Sequence, residues 1–165
     1  MRLARAVAEH FVRTGKRLKC HDGLSSELMS RRAGVFVSVK KDGALRGCIG
    51  TTAPTESNIA EEIISNAISA VSRDPRFDPV EENELDSLIY SVDVLSPAEH
   101  ITSKKELDTE RYGVIVRSGR RSGLLLPCLE GVDTVDEQVS IALKKVGISE
   151  NEPYTLERFE VVRHK

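Results

Sequence analysis

The sequence predicts an α+β fold: one domain in which two hairpin–helix–strand repeats form a mostly antiparallel sheet backed by helices, a sheet able to close into a barrel-like form. Three observations predict it. Two segments rhyme: "GVFVSVKKDGALRGCIG" from Gly34, and "YGVIVRSGRRSGLLLPCLEG", with its second Gly-Val-x-Val at Gly113. Each runs through a charged, glycine-containing turn into a second apolar segment. Each is then followed by an amphipathic helical pattern and by a segment of alternating apolar residues. The expected boundaries are 1–33 for an N-terminal helix and connector, 34–95 for repeat one, 96–111 for a connector and 112–165 for repeat two.

The leading helix places Leu3, Val7 and Phe11 on one face. Leu18–Arg32 is polar, holds Cys20, His21 and Gly23, and reads as the flexible stretch. Thr55 opens "TESNIAEEIISNAISAV", where Ile59, Ile63, Ala67 and Val71 recur every four residues and Ile64 and Ile68 widen the stripe. Asp74 precedes Pro75 and is pushed out of helical geometry, so that helix stops near Arg73. Leu88, Tyr90, Val92 and Val94 alternate along a strand. Short helical inserts fit Glu81–Ser87 and Lys104–Glu110. In the second half, Thr134 and Glu137 form a capping box. Val135, Val139, Leu143 and Val146 make the helical stripe, and Gly147 ends it. "LERFEVV" from Leu156 supplies the last strand, with Phe159 and Val161 facing one way. The rhyme sets Cys48 opposite Cys128.

Composition excludes several classes. In 165 residues the net charge is about −2 and the signs are interleaved, which lacks the basic footprint of a nucleic-acid binder. Aromatics are 4% and tryptophan is absent, so stacking platforms are scarce and the core rests on Val, Ile, Leu and Ala. No apolar run approaches a membrane span, and "MRLARAVAEH" lacks the apolar core of a signal peptide. Three cysteines at spacings that match no zinc pattern point to reduced thiols and a cytoplasmic protein, with no metal and no cofactor called for. Phosphate-loop, GxSxG and HExxH motifs are absent.

The chemistry gathers at "LRGCIG", Leu45–Gly50. Asp42-Gly43 suggests a two-residue hairpin loop, but that register sets Arg46 on the valine face. A three-residue loop with Gly43 left-handed instead gathers Val35, Val37, Val39, Leu45 and Ile49 on one face, and Phe36, Ser38, Arg46 and Cys48 on the other, and is preferred. Arg46 then lies two residues from Cys48 on the same face, roughly 7 Å away at the base, where a guanidinium favours a thiolate. Gly47 and Gly50 remove side chains and let a ligand or a backbone approach. The plainer reading is that Cys48 packs as a small apolar group.

A second constellation is "SRDPRF". Arg73 and Arg76 flank Asp74 at a rigid turn and can hold a carboxylate or phosphate; the plainer reading is an Asp74–arginine salt bridge that fixes the turn. His10, His21, His100 and His164 have no evident route to Cys48. The basic turn "GRRSG", Gly119–Gly123, reads as a solvated tip.

Taken together, "GVFVSVKKDGALRGCIGT", "SRDPRFDPV" with the following "SVDVLSP", and "GVIV…GLLLP" resemble the AMME chromosomal region protein family, whose prokaryotic members belong to the AmmeMemoRadiSam system. The resemblance spans about Gly34 to Glu160. It implies one α+β domain with two repeats, no established activity, and an association with Memo-like and radical S-adenosylmethionine proteins. Its motifs fall on Leu45–Gly50 and on Asp74, Pro75, Arg76 and Phe77. The chain departs from the family at Cys128, where glutamine is usual, in lacking a tryptophan, and at Leu143, Lys145, Val146 and Gly147, where a C-x-K-A-G segment is usual.

Two functions remain from these residues. One is a ligand- or partner-binding accessory module whose surface is Arg46, Gly47, Cys48, Gly50, Arg73, Asp74 and Arg76. The other is an enzyme with Cys48 as nucleophile or acid/base, its pKa lowered by Arg46, and Arg76 holding a small anionic substrate.

Overall fold

The first hairpin turns on Asp42 and Gly43, whose φ of 51° and 83° are both positive. This is the two-residue loop that Asp-Gly favours, because its twist matches that of the flanking strands. It joins β1 (Val35–Lys41) to β2 (Ala44–Gly50) in a computed structural model that describes residues 1–19 and 23–165. Pairing starts as Lys41↔Ala44 and Lys40↔Leu45, then slips by one residue to Val39↔Gly47, Ser38↔Cys48 and Val37↔Ile49. Arg46 is the extra residue of a β-bulge. The bulge resolves the conflict that set the two-residue loop aside. It removes Arg46 from the valine face and keeps Gly47 and Ile49 on it. Leu45, expected among the valines, instead pairs with Lys40 and is 40% exposed.

The strands form two antiparallel four-stranded sheets rather than one. The orders are β2-β1-β3-β8 and β4-β7-β5-β6, with β3 Leu88–Leu95, β4 Glu99–Ile101, β5 Gly113–Ser118, β6 Arg121–Leu125, β7 Thr155–Phe159 and β8 Val161–His164. Among the described residues neither sheet closes into a barrel. The helices are α1 (Arg2–Thr14), α2 (Ser26–Ser30), α3 (Ile59–Ser72) and α4 (Val135–Lys144). The chain divides into two compact units, 1–94 with 162–165, and 95–161.

In the first unit, Val35, Val37 and Val39 are fully buried in a core with Ile63, Ile64 and Ala67 of α3, Leu3 and Val7 of α1, and Tyr90 and Val92 of β3. Each such aliphatic side chain contributes about 1.5–3 kcal/mol by leaving water. α3 starts at Ile59 rather than at Thr55, because Asn58 caps it by accepting the Glu61 amide at 2.9 Å. Thr55 folds back instead and bonds Glu62 through its amide and hydroxyl, both at 2.8 Å. The helix ends at Arg73, as Pro75 requires. The Leu18–Arg32 stretch contains α2; its Cys20 and His21 lie outside the described residues.

In the second unit, α4 packs Val139, Ala142 and Leu143 against Val114, Val116 and Leu125. Its capping box at Thr134 and Glu137 forms as expected. The final apolar segment does not run as one strand: it breaks at Glu160, with β7 in one sheet and β8 in the other. The two inserts are short 3₁₀ turns, Glu82–Ser87 and Lys104–Glu106.

Within each unit the hairpin meets its helix in the same way. A Cβ on Gly47 would sit 2.1 Å from the Ala70 carbonyl oxygen of α3, and one on Gly123 would sit 2.2 Å from that of Ala142 in α4. Gly47 pairs with Val39 and Gly123 with Val116. A buried helix amide reaches the start of each hairpin, Asn66 to the Val35 carbonyl and Gln138 to the Tyr112 carbonyl, both at 2.9 Å. By this packing the counterpart of Cys48 is Leu124. Cys128, set opposite Cys48 by the rhyme, lies beyond the strand in a turn with φ 53°.

Candidate functional site

Cys48 is partly exposed on edge strand β2. Its cross-strand neighbour Ser38 donates a hydroxyl hydrogen bond to Sγ at 3.2 Å. The backbone of Cys48 faces away from β1 and is taken by the turn after α3. Its amide donates to Asp74 Oδ2 at 2.8 Å, and its carbonyl accepts from Arg76 Nη2 at 3.1 Å. Because both groups point outward, Ser38–Cys48 is a non-hydrogen-bonded pair of the ladder, in which the two side chains lie closer together.

Asp74 is buried and bidentate to Arg76, with Nε to Oδ1 at 2.9 Å and Nη2 to Oδ2 at 2.7 Å, and it also accepts the Arg76 amide at 3.1 Å. Hydrogen bonds from Arg76 hold its carboxyl well below the usual range; burial opposes this, and the Cys48 and Arg76 amides add to it. The salt bridge that fixes the turn is therefore formed, with Arg76 as the partner. The Arg76 side chain is 54% exposed, and among the described residues its Nη1 makes no hydrogen bond. Its pKa is raised, first by the hydrogen bonds to Asp74 and against burial, and Nη2 holds it against the Cys48 backbone at 3.1 Å. Arg73 is exposed at the end of α3 and has no ion-pair partner among the described residues.

Arg46 does not join Cys48 as the three-residue register implied. The bulge turns it to Glu84, which accepts Nε at 3.0 Å and Nη2 at 2.9 Å, while Nη1 reaches the Asp78 carbonyl at 2.9 Å. Lys41 Nζ bonds the same carboxylate at 3.1 Å. Arg46 first, against a smaller effect of burial, brings the Glu84 carboxyl down to about 2. The cation that contacts Cys48 is thus Arg76, through the backbone carbonyl, and Arg46 ties the hairpin to Glu82–Ser87. The glycines of the motif are close-approach positions: Gly47 under α3, and Gly50 where a Cβ would stand 2.3 Å from the Phe36 ring.

Sequence reasoning missed Ser38 and Glu84 as members of the site. Ser38 shared the Cys48 face in the three-residue register and was the available signal. Glu84 lies 38 residues beyond Arg46, and no local pattern joins them. Also missed was Glu62, a buried carboxylate that gathers the Thr51 hydroxyl at 2.6 Å and the amides of Thr55 and Glu56 at 2.8 Å. Burial alone would raise its pKa, but these donors outweigh it and the net shift is down. Among the described residues no group of His, Cys, Asp or Glu could hold a metal ion, and no helix is long and apolar enough to cross a membrane.

A sequence model of the family described as AMMECR1 matches residues 1–164. The chain belongs to the AMMECR1 family. A Thermotoga maritima protein is 52% identical over 161 residues, covering 96% of this chain and 92% of that one. A Clostridium acetobutylicum protein is 51% identical over 166 residues, covering 100% of this chain; the chain spans 35% of that protein's length. The fold is similar to the crystal structure of an uncharacterized protein from Pyrococcus horikoshii, with a TM-score of 0.91 at 32% identity over 98% of this chain and 87% of that one. The motifs that carried the resemblance, "LRGCIG" and "DPRF", are in this AMMECR1-family chain the two halves of one hydrogen-bonded clasp, Cys48 to Asp74 and Arg76.

Proposed function

We propose that this AMMECR1-family protein is an accessory module that binds an anionic group of a ligand or partner protein at the clasp between "LRGCIG" and "DPRF". The observation that carries this reading is Arg76: Asp74 holds it rigidly by two nitrogens, while among the described residues Nη1 has no partner and the side chain is half exposed. A guanidinium fixed in this way binds a carboxylate or phosphate without first losing side-chain freedom. Arg73, one turn of chain away and engaged by no carboxylate among the described residues, extends the positive surface. Memo-like and radical S-adenosylmethionine proteins are the partners that the family resemblance brings forward. Titration calorimetry of the purified chain against each of these from the same genome tests it. Arg73→Ala is expected to weaken binding about tenfold, roughly 1.4 kcal/mol, and Cys48→Ser to leave it unchanged. Equal loss from both substitutions in folded protein would overturn the binding reading.

A second reading is an enzyme that uses Cys48. It is favoured by the Ser38 hydroxyl at 3.2 Å from Sγ and by the Arg76 guanidinium, which reaches the Cys48 carbonyl at 3.1 Å. Alkylation by iodoacetamide as a function of pH, followed by mass spectrometry with Cys128 as internal control, separates the two. Under the binding reading Cys48 is alkylated no faster than Cys128 at any pH. A Cys48 that reacts faster than Cys128 and titrates at least one unit lower would turn the assignment to the enzyme.

A further inference from the structure

An edge strand presents a row of unpaired amides and carbonyls to any other strand. β2 is such an edge, and at Cys48 both outward groups are already taken by side chains: the amide by Asp74 at 2.8 Å and the carbonyl by Arg76 at 3.1 Å. A neighbouring antiparallel strand would supply the same two bonds to this residue. We infer that the Asp74–Arg76 pair is a surrogate strand, which occupies the β2 edge at Cys48 and closes it to the β2 edge of a second copy of this chain.

The turn is built to stay in place. Arg76 grips Asp74 by two guanidinium bonds and its own amide, and the Phe77 amide closes the turn on the Asp74 carbonyl at 3.1 Å. Pro75 sets the backbone and has no amide to leave unpaired. The second unit offers an independent instance. β6 is an edge of its sheet, and Leu124 occupies there the place of Cys48. Its carbonyl accepts from Lys145 Nζ at 2.9 Å. In each unit, then, a cationic side chain from just beyond the packed helix covers the outward carbonyl next to the close-approach glycine.

The occupant excluded is a second copy because the edge is self-complementary once uncovered. Antiparallel pairing about Cys48 sets identical residues across a twofold axis. About that axis Gly47 faces Ile49 and Gly50 faces Arg46, so at each of these pairs one residue has no side chain to clash.

The test uses the full chain. Hydrogen–deuterium exchange is followed at the Cys48 amide, with Ile49, whose amide faces β1, as internal reference. Sedimentation equilibrium is run over a concentration series. In Asp74→Ala, Cys48 exchange is expected to accelerate at least tenfold while Ile49 keeps its rate, and self-association is expected to tighten at least tenfold over the parent. Should Asp74→Ala fail to fold, Arg76→Ala uncovers the carbonyl and also releases Asp74 from its bidentate grip, which loosens the amide bond, so the same two readings apply with a threefold criterion. Unchanged Cys48 exchange in the folded variant overturns the surrogate strand. Faster exchange with no tighter association overturns its role against self-pairing.

Discussion

Glu84 shows how one carboxylate ties a hairpin to a distant turn. It accepts from Arg46, from Lys41 and from the Glu81 amide at 3.0 Å, and its own side chain is 13% exposed. Its folded pKa of about 2 lies below the ordinary 4.5, with hydrogen bonds from Arg46 as the largest cause. A depressed carboxylate contributes stability that is complete above the unfolded pKa and lost as pH falls through the folded one. Glu84→Gln is therefore expected to cost about 2 kcal/mol at pH 7. The gap between parent and variant should shrink as pH falls from 4.5 toward 2, because protonated Glu84 resembles glutamine. Urea denaturation at pH 7, 4 and 3 measures it; a variant as stable as the parent at pH 7 would show that the Arg46–Glu84 pair is idle. The sequence pointed to Cys48, Asp74 and Arg76 together, because their chemistry is visible in the residue types. It mispaired Arg46, because a one-residue bulge leaves no signature in the alternation on either side.

At the scale of elements, the distance between strand and helix is set by glycine. Gly47 and Gly123 each face a helix carbonyl at a distance no Cβ tolerates, and the opposing atom is backbone, so neither side gives way cheaply. Gly47→Ala is expected to cost about 3 kcal/mol and to lower Tm by roughly 6–12 °C. Gly43 has a φ of 83° and open space around it, so Gly43→Asn should move Tm by no more than about 3 °C, because asparagine tolerates that conformation. Thermal denaturation followed by circular dichroism compares the two. Equal losses would mean that the strand–helix approach is not what selects Gly47. The sequence offered ligand access as one reason for the motif's glycines; their packing against α3 and Phe36 needed the third dimension.

For the molecule as a whole, the last strand matters more than its length suggests. β8 lies beside β3 at the end of the first unit's sheet, and Arg163 meets buried Asp93 in a bidentate pair at 2.7 and 2.8 Å. The C-terminal residues are thereby bound to a unit whose remainder ends at Val94. Arg163→Ala leaves a buried carboxylate without its bidentate partner and is expected to cost about 2 kcal/mol. Exchange of the β8 amides should rise about tenfold, and Arg163→Lys should fall between the two, because lysine keeps the charge but not the fork. If β8 exchange in Arg163→Ala matched that of the parent, the strand would be held by its backbone ladder alone.

The α+β class, the order of hairpin, helix and strand in each half, the cap at Thr134, the stop before Pro75 and the two motifs that meet at the clasp were all determined by the sequence alone. They depend on periodicity, capping and backbone restriction, which act between residues near in the chain. The tertiary structure decided the rest: two open sheets in place of one, the bulge at Arg46, Leu124 rather than Cys128 as the counterpart of Cys48, and the exchange of Arg46 for Arg76 as the cation that contacts Cys48. Those outcomes turn on which buried face wins a register and which distant carboxylate reaches a guanidinium first, and such contests are settled only when remote segments pack.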